Sequence, residues 1–260
     1  MTDTTLRGTA LLDALEAGSV RVAEPTAAGD WIVNTWVKDA ILDLFRTTSI
    51  VPKGLEGEPG LFRDKEPLDV RRFDEASNVR VVPGGSAVRR GAYLGSGVVC
   101  MPPMYINLGA YVGAGTMVDS HALIGSCAQI GERVHVSAAA QIGGVLEPPG
   151  ARPVIVEDGA FIGGGAGIYE GVLVRRGAVI AGGLQLTAST PVFDLVNECE
   201  LRGSRAEPLE IPANAVVLPG TRPVSSKWGR EQGLAQACAL IVKYRDEKTD
   251  QGTALEEALR

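Results

Sequence analysis

From Val82 onward an apolar side chain returns at every sixth residue: Val82, Val88, Leu94, Cys100, Ile106, Val112, Val118, Ile124, Ile130, Val136 and Ile142. The run breaks over residues 144–155 and resumes as Val156, Ile162, Ile168, Val174, Ile180, Leu186 and Val192, giving eighteen hexads. Four places after each of these the side chain is usually small, as at Ala92, Ala110, Thr116, Ala122, Ala128 and Ala140. One place after, glycine recurs as Gly95, Gly113, Gly125, Gly131 and Gly143.

A helix repeats every 3.6 residues and a half-buried strand every two, so a period of six demands a chain that turns at a fixed short interval. Three short strands joined by tight corners close one triangular coil, and eighteen hexads make six coils. Stacked by parallel hydrogen bonding at about 4.8 Å, they form a prism about 29 Å tall. The aliphatic residue points at a narrow axis with no room for a ring, which agrees with an aromatic content of only 5%. The recurring glycine is read here as relief for strained corner backbone.

The flanks follow another grammar. Residues 1–75 carry helical spacing, with Leu11, Leu12 and Leu15 and then Ile32, Trp36, Val37, Ile41, Leu44 and Phe45, and predict a small domain of two or three helices. Residues 51–69, rich in proline and glycine, read as a loop-like connector. The prism then occupies residues 76–220, with insertions near 144–155 and 193–210, and Ile211 and Val217 resume the spacing of six. Residues 221–260 form a C-terminal extension, with an apolar strand at 235–244 and a short helix at 254–260.

Several function classes fall away. A net charge of −6 argues against a nucleic-acid surface. No apolar stretch reaches the roughly 18 residues of a membrane span, and the first residues lack the layout of a secretion signal, so a cytoplasmic protein is expected. Cys100, Cys127, Cys199 and Cys238 have no paired spacing and read as reduced thiols, with Cys127 as core packing. Metal-dependent hydration on a prism of this kind needs three histidine ligands, and the chain has two, His121 and His135. No metal is therefore expected. Either histidine has an ordinary packing reading; His121, two residues after Asp119, is the better candidate for a base.

Three blocks carry a resemblance. Gly115-Thr116-Met117-Val118-Asp119, Gly125-Ser126-Cys127-Ala128-Gln129-Ile130-Gly131 and Gly143-Gly144-Val145-Leu146-Glu147-Pro148 resemble signature segments of the tetrahydrodipicolinate N-succinyltransferases. Arg21-Val22-Ala23-Glu24, Asp64-Lys65-Glu66-Pro67-Leu68, Arg80-Val81-Val82-Pro83 and Ile241-Val242-Lys243 extend the likeness over nearly the whole chain. The resemblance implies a left-handed parallel β-helix, a hand opposite to the usual rule for parallel crossovers. It also implies a homotrimer with sites between subunits. The implied activity moves a succinyl group from succinyl-CoA, a co-substrate, to a cyclic imine dicarboxylate in lysine and diaminopimelate synthesis.

Such chemistry needs groups that hold carboxylates, take a proton from the attacking nitrogen and stabilise an oxyanion. A thioester is already activated, so no covalent nucleophile is required. By resemblance, Arg80 is a substrate-binding arginine and Asp119 the active-site carboxylate. Where many members have Glu-x-x-Glu-Gly, this chain has Gly167-Ile168-Tyr169-Glu170-Gly171, which leaves Glu170 as the second catalytic candidate. Gly163, Gly164 and Gly182 are candidates to lie along the coenzyme's arm, and Ser226, Lys227 and Lys243 to meet its phosphates. Two alternatives stay open: an acetyl-CoA-dependent or specialised N-acyltransferase acting on a related amino-dicarboxylate, and a non-catalytic β-helix scaffold.

Overall fold

The computed structural model describes residues 5–55, 58–204 and 206–245. Short parallel strands stack in three columns, each strand pairing with the one a full coil later, as in Tyr93↔Tyr111↔Gln129 and Val99↔Met117↔His135. On the first face the inward residues are Cys100, Val118, Val136, Ile162, Ile180 and Val217; the second face stacks Val88, Ile106, Ile124, Ile142, Ile168 and Leu186. The third face stacks Leu94, Val112, Ile130, Val156, Val174 and Ile211. These side chains form one apolar column, most of them with no exposed surface. Each such burial contributes about 1.5–3 kcal/mol, which is why the hexad dominates the sequence.

The structure departs from the period at both ends. Val81, not Val82, pairs with Cys100, so Val81 is the first inward residue. The first corner then holds an extra residue, in a stretch where Gly84 and Gly85 take positive φ. At the other end Val192 is buried but is no rung of the prism: Ile211 stacks on Val174 in its place. Val192–Asp194 instead pairs with Cys199–Leu201 and with the C-terminal strand.

The recurring glycine has a different cause from the one expected. None of Gly95, Gly113, Gly125, Gly131 or Gly143 has positive φ. They are bare because the next coil lies against them: a methyl group on Gly125 would come within 2.6 Å of the backbone at Gly143 and Gly144. At most corners the turn itself is made three residues after the inward side chain, where φ is positive. Glycine fills most of those places, but four successive ones hold His121 (φ 62), Cys127 (φ 69), Arg133 (φ 52) and Ala139 (φ 58).

Ahead of the prism, helix α1 (Gly8–Glu16) and helix α2 (Thr35–Thr47) bury Leu11, Leu12, Leu15, Ile41 and Leu44 against Leu108 and Cys127 at the corner between the second and third faces. Two antiparallel ribbons accompany them. Ile32, expected on a helix, lies exposed on the strand Trp31–Val33, and the expected loop connector is the ribbon Ile50–Leu55 with Glu58–Lys65. Pro52 is tolerated there because both strands of a two-stranded ribbon are edges.

This layer covers the third face. Arg21 lies 3.6 Å above the ring of Tyr111 and donates to Gln129 Oε1 at 3.1 Å, while the Trp31 indole donates to Glu157 at 3.0 Å. Lys38 of α2 is fully buried and donates to the carbonyl of Ala151 at 2.6 Å, which ties the helix to the first insertion. Burial lowers its pKa. At the far end, the strands Ala215–Pro223 and Ala235–Tyr244 form an antiparallel ribbon that widens the first face to ten strands. The helix expected at 254–260 lies outside the described residues.

Candidate active site

With the third face covered, the corner between the first and second faces becomes the exposed edge of interest. Asp119 sits on it, one residue past inward Val118, and is half-buried. Its Oδ1 accepts from the N–H of Ser120 at 2.7 Å, and no cation among the described residues pairs with the carboxylate. One coil on, in the place equivalent to Asp119, the hydroxyl of Ser137 is buried with no hydrogen-bond partner. That polar group belongs with Asp119; counting one hexad triplet along from residue 119 would have found it.

Beyond Ser137 the same corner loses its side chains: Ala138-Ala139, Gly164-Gly165 and Gly182-Gly183 follow one another, all exposed. Corners elsewhere are mixed: at Ser96, Ala114 and Asp158 the N–H of the second turn residue has no acceptor among the described residues, whereas others cap it with a side chain. The N–H of Leu108 goes to Asn107 Oδ1 (2.8 Å), that of Glu132 to Asp158 Oδ1 (2.8 Å) and that of Arg176 to Glu157 Oε2 (2.9 Å). The equivalent N–H groups of Ala138, Gly164 and Gly182 have no acceptor among the described residues. Three donors therefore line an open edge at intervals of about 4.8 Å. An exposed, unpaired N–H is a ready partner for an amide carbonyl or an oxyanion.

The remaining candidates divide. Gly163, Gly164 and Gly182 lie on this edge, and Gly163 is bare because the backbone at Ile180 and Ala181 would be within 2.8 Å of a methyl group. Arg80 projects from the first face two coils above the Met117-Val118-Asp119 strand, exposed and with no ion pair among the described residues. Glu170 is elsewhere. It lies on the corner between the second and third faces, two coils beyond Asp119, with φ 53 and Oε2 accepting from the N–H of Ala188 at 3.1 Å. A single chain thus separates the two carboxylates by a whole face and by about 10 Å along the axis.

The phosphate candidates are not gathered either. Ser226 caps helix α3 (Lys227–Glu231) by accepting from Gly229 N at 3.1 Å, and Lys227 lies 3.9 Å from Glu231. Lys243 pairs with Val216 at the base of the same ribbon, whose other end is marked by the pair Pro223↔Ala235. Seven strand residues, about 23 Å, lie between. His121 provides the corner turn beside Asp119 with its side chain exposed, and His135 packs on Phe161 with ring centroids 5.1 Å apart.

A cleft of about 680 Å³ lies away from this edge, between Trp31, Gly150, Arg152, residues 200–202 and residues 206–210. Its arginines are already engaged, Arg152 with Glu210 and Arg202 with Glu200. The Asp119 edge is by contrast exposed at Ala138, Gly164 and Gly182.

A three-sided β-helix with an open carboxylate above a donor-lined, side-chain-free edge defines the class of hexapeptide-repeat acyltransferases. Residues 8–47 match the tetrahydrodipicolinate N-succinyltransferase N-terminal model, and residues 153–188 match the hexapeptide repeat of succinyl-transferase. The chain is 46% identical over 256 residues to a 2,3,4,5-tetrahydropyridine-2,6-dicarboxylate N-succinyltransferase of Rhodopseudomonas palustris, covering 96% of this chain and 87% of that protein. Enzymes of the same name from Nitrobacter hamburgensis and Paramagnetospirillum magneticum are 46% and 44% identical over 96% of the chain. The chain belongs to the tetrahydrodipicolinate N-succinyltransferase family. Its fold is the left-handed parallel β-helix, shared with a solved Campylobacter jejuni protein named as a 2,3,4,5-tetrahydropyridine-2-carboxylate N-succinyltransferase. That match has a TM-score of 0.55 at 17% identity and covers 97% of this chain and 63% of the other.

Proposed function

We propose that the chain transfers the succinyl group of succinyl-CoA to the nitrogen of hydrated tetrahydrodipicolinate, in the cytoplasm, as a step of lysine and diaminopimelate synthesis. The observation that carries the site assignment is the unpaired carboxylate of Asp119 at the head of the uncapped N–H groups of Ala138, Gly164 and Gly182. The donor's arm lies along that edge, its amide carbonyls accepting from these donors, and its thioester reaches Asp119. Arg80 offers a guanidinium fork to a substrate carboxylate.

In the reaction the nitrogen attacks the thioester carbonyl and its proton passes to Asp119. The tetrahedral oxyanion collapses, the C–S bond breaks and the thiolate leaves with a proton. The hydrated ring opens to the N-succinyl amino-oxo-pimelate. Because Glu170 and Asp119 lie on different corners, a second carboxylate reaches this centre from a neighbouring chain. Closed three-fold packing of the prisms, which brings the Glu170 corner of one copy beside the Asp119 corner of the next, meets that need and makes a groove of the exposed edge.

The test is thiol release from succinyl-CoA and from acetyl-CoA in the presence of tetrahydrodipicolinate. Turnover with succinyl-CoA that falls at least 100-fold in Asp119→Asn, with the fold intact, is expected for loss of general-base catalysis. Preference for acetyl-CoA, or turnover indifferent to Asp119→Asn, refutes the reading.

A further inference from the structure

On the second face, beside the bare edge, one side chain has no part in the scheme above. The ring of Tyr169 folds back across two glycines: a methyl group on Gly143 would be 2.8 Å from its Cδ1, and one on Gly167 would be 2.8 Å from its Cζ. The half-buried ring is thus set by contact with bare backbone, and Cζ, which bears the hydroxyl, lies over Gly167. That hydroxyl has no partner among the described residues. A fixed, half-buried phenol ordinarily finds one.

Gln185 meets the same spot. Its Nε2 donates to the carbonyls of Gly165 (3.0 Å) and Gly183 (3.4 Å), which turns Oε1 toward Gly167 and the Tyr169 ring. The result is one free O–H donor and one free carbonyl acceptor side by side, beside the uncapped N–H groups of Gly164 and Gly182. A secondary amide presents the complementary pair, a C=O and an N–H in fixed geometry.

We infer that Tyr169 and Gln185 form an amide-binding subsite for the arm of the acyl donor: the phenol donates to an amide carbonyl, and Gln185 Oε1 accepts from an amide N–H. This rests on the acyl-CoA reading above. Gly143 and Gly167 are then bare so that the ring can lie flat and leave the arm its path along the edge.

Tyr169→Phe removes the hydroxyl and keeps the ring over both glycines, so the melting temperature stays within a degree or two. Calorimetric titration with CoA is expected to weaken about 5- to 10-fold, the worth of one hydrogen bond. The KM for succinyl-CoA should rise by a similar factor with the KM for the acceptor unchanged. A succinyl thioester of a simple alkyl thiol, which has no amide, should not distinguish the two proteins. Gln185→Leu should reproduce the loss in CoA binding. Unchanged CoA affinity in Tyr169→Phe, or an equal penalty with the amide-free thioester, overturns the subsite. Wild-type protein that binds CoA with the Tyr169 dependence but transfers no acyl group keeps the subsite and refutes the succinyl-transfer reading; wild-type protein that does not bind CoA refutes both.

Discussion

Substituting two glycines separates the two reasons that a prism corner can require one. At Gly125 the methyl group of alanine meets backbone on the next coil, 2.6 Å from Gly143 C and from Gly144 Cα and nearer still to Gly144 N. Ordinary contact is 3.4–4 Å, so the coils must part locally by about 1 Å. The bonds that cross this gap, Gly125 N to Ile142 O at 2.7 Å and Val145 N to Ser126 O at 3.2 Å, then stretch beyond useful length. Two backbone pairs left open at about 1–3 kcal/mol each make Gly125→Ala destabilising by about 2–6 kcal/mol. At Gly159 the backbone has φ +66, and a methyl group there meets nothing within 4 Å. Left-handed strain of about 1–2 kcal/mol is offset by about 0.4–1 kcal/mol of unfolded-state entropy, so Gly159→Ala costs about 1 kcal/mol. For a chain of this size the melting temperature should fall by about 4–24 °C in the first variant and about 2–4 °C in the second. Circular dichroism melts at several scan rates measure both. Equal losses, or a larger loss at Gly159, would refute the assignment of close approach to one glycine column and of turn geometry to the other.

Two further outcomes follow from buried titratable groups. Burial lowers the pKa of Lys38, so the folded chain releases a proton that the unfolded chain still holds. Stability conferred on the wild type relative to Lys38→Met must therefore rise with pH through the window below the ordinary lysine value of about 10.4. Urea unfolding of both proteins at pH 7, 8.5 and 9.5 reads the difference, and a flat or falling trend contradicts it. For the thiols, burial pushes Cys100 and Cys127 up to about 12, and Cys238 is buried too, whereas Cys199 is exposed. A disulfide reagent should therefore label Cys199 rapidly and the other three only after denaturation; fast labelling of Cys127 would mean that α1 and α2 do not pack on the prism as described.

The hexad was legible because it is local. An inward side chain, a small residue and a corner repeat within six residues, and the alternation of side chains along a strand fixes which of them point to the axis. The apolar strand at 235–244 and the helical spacing of α1 and α2 were legible for the same reason. Ile32 and residues 51–69 were not: a two-stranded ribbon has no buried face to impose a period, and proline and glycine there mimic a loop.

The site divides along the same line. Asp119 and Glu170 look alike in sequence, each just past an inward aliphatic residue, yet Val118 belongs to the first face and Ile168 to the second. Counting the hexads in threes separates them. No such count reveals which N–H groups go uncapped, since Asp158 reaches back across a coil to Glu132 while Ala138, Gly164 and Gly182 receive no such neighbour. The sequence by itself determined the three-sided column, its axis and its rise, because those follow from the period. Only the tertiary structure decided that glycine one place past each inward residue answers to the coil below it rather than to its own φ, and that one corner is left bare. The contacts that keep the glycine column bare join neighbouring coils, and corner caps are either local, as Asn107 to Leu108, or reach across a coil, as Asp158 to Glu132, so a single repeat encodes them only in part.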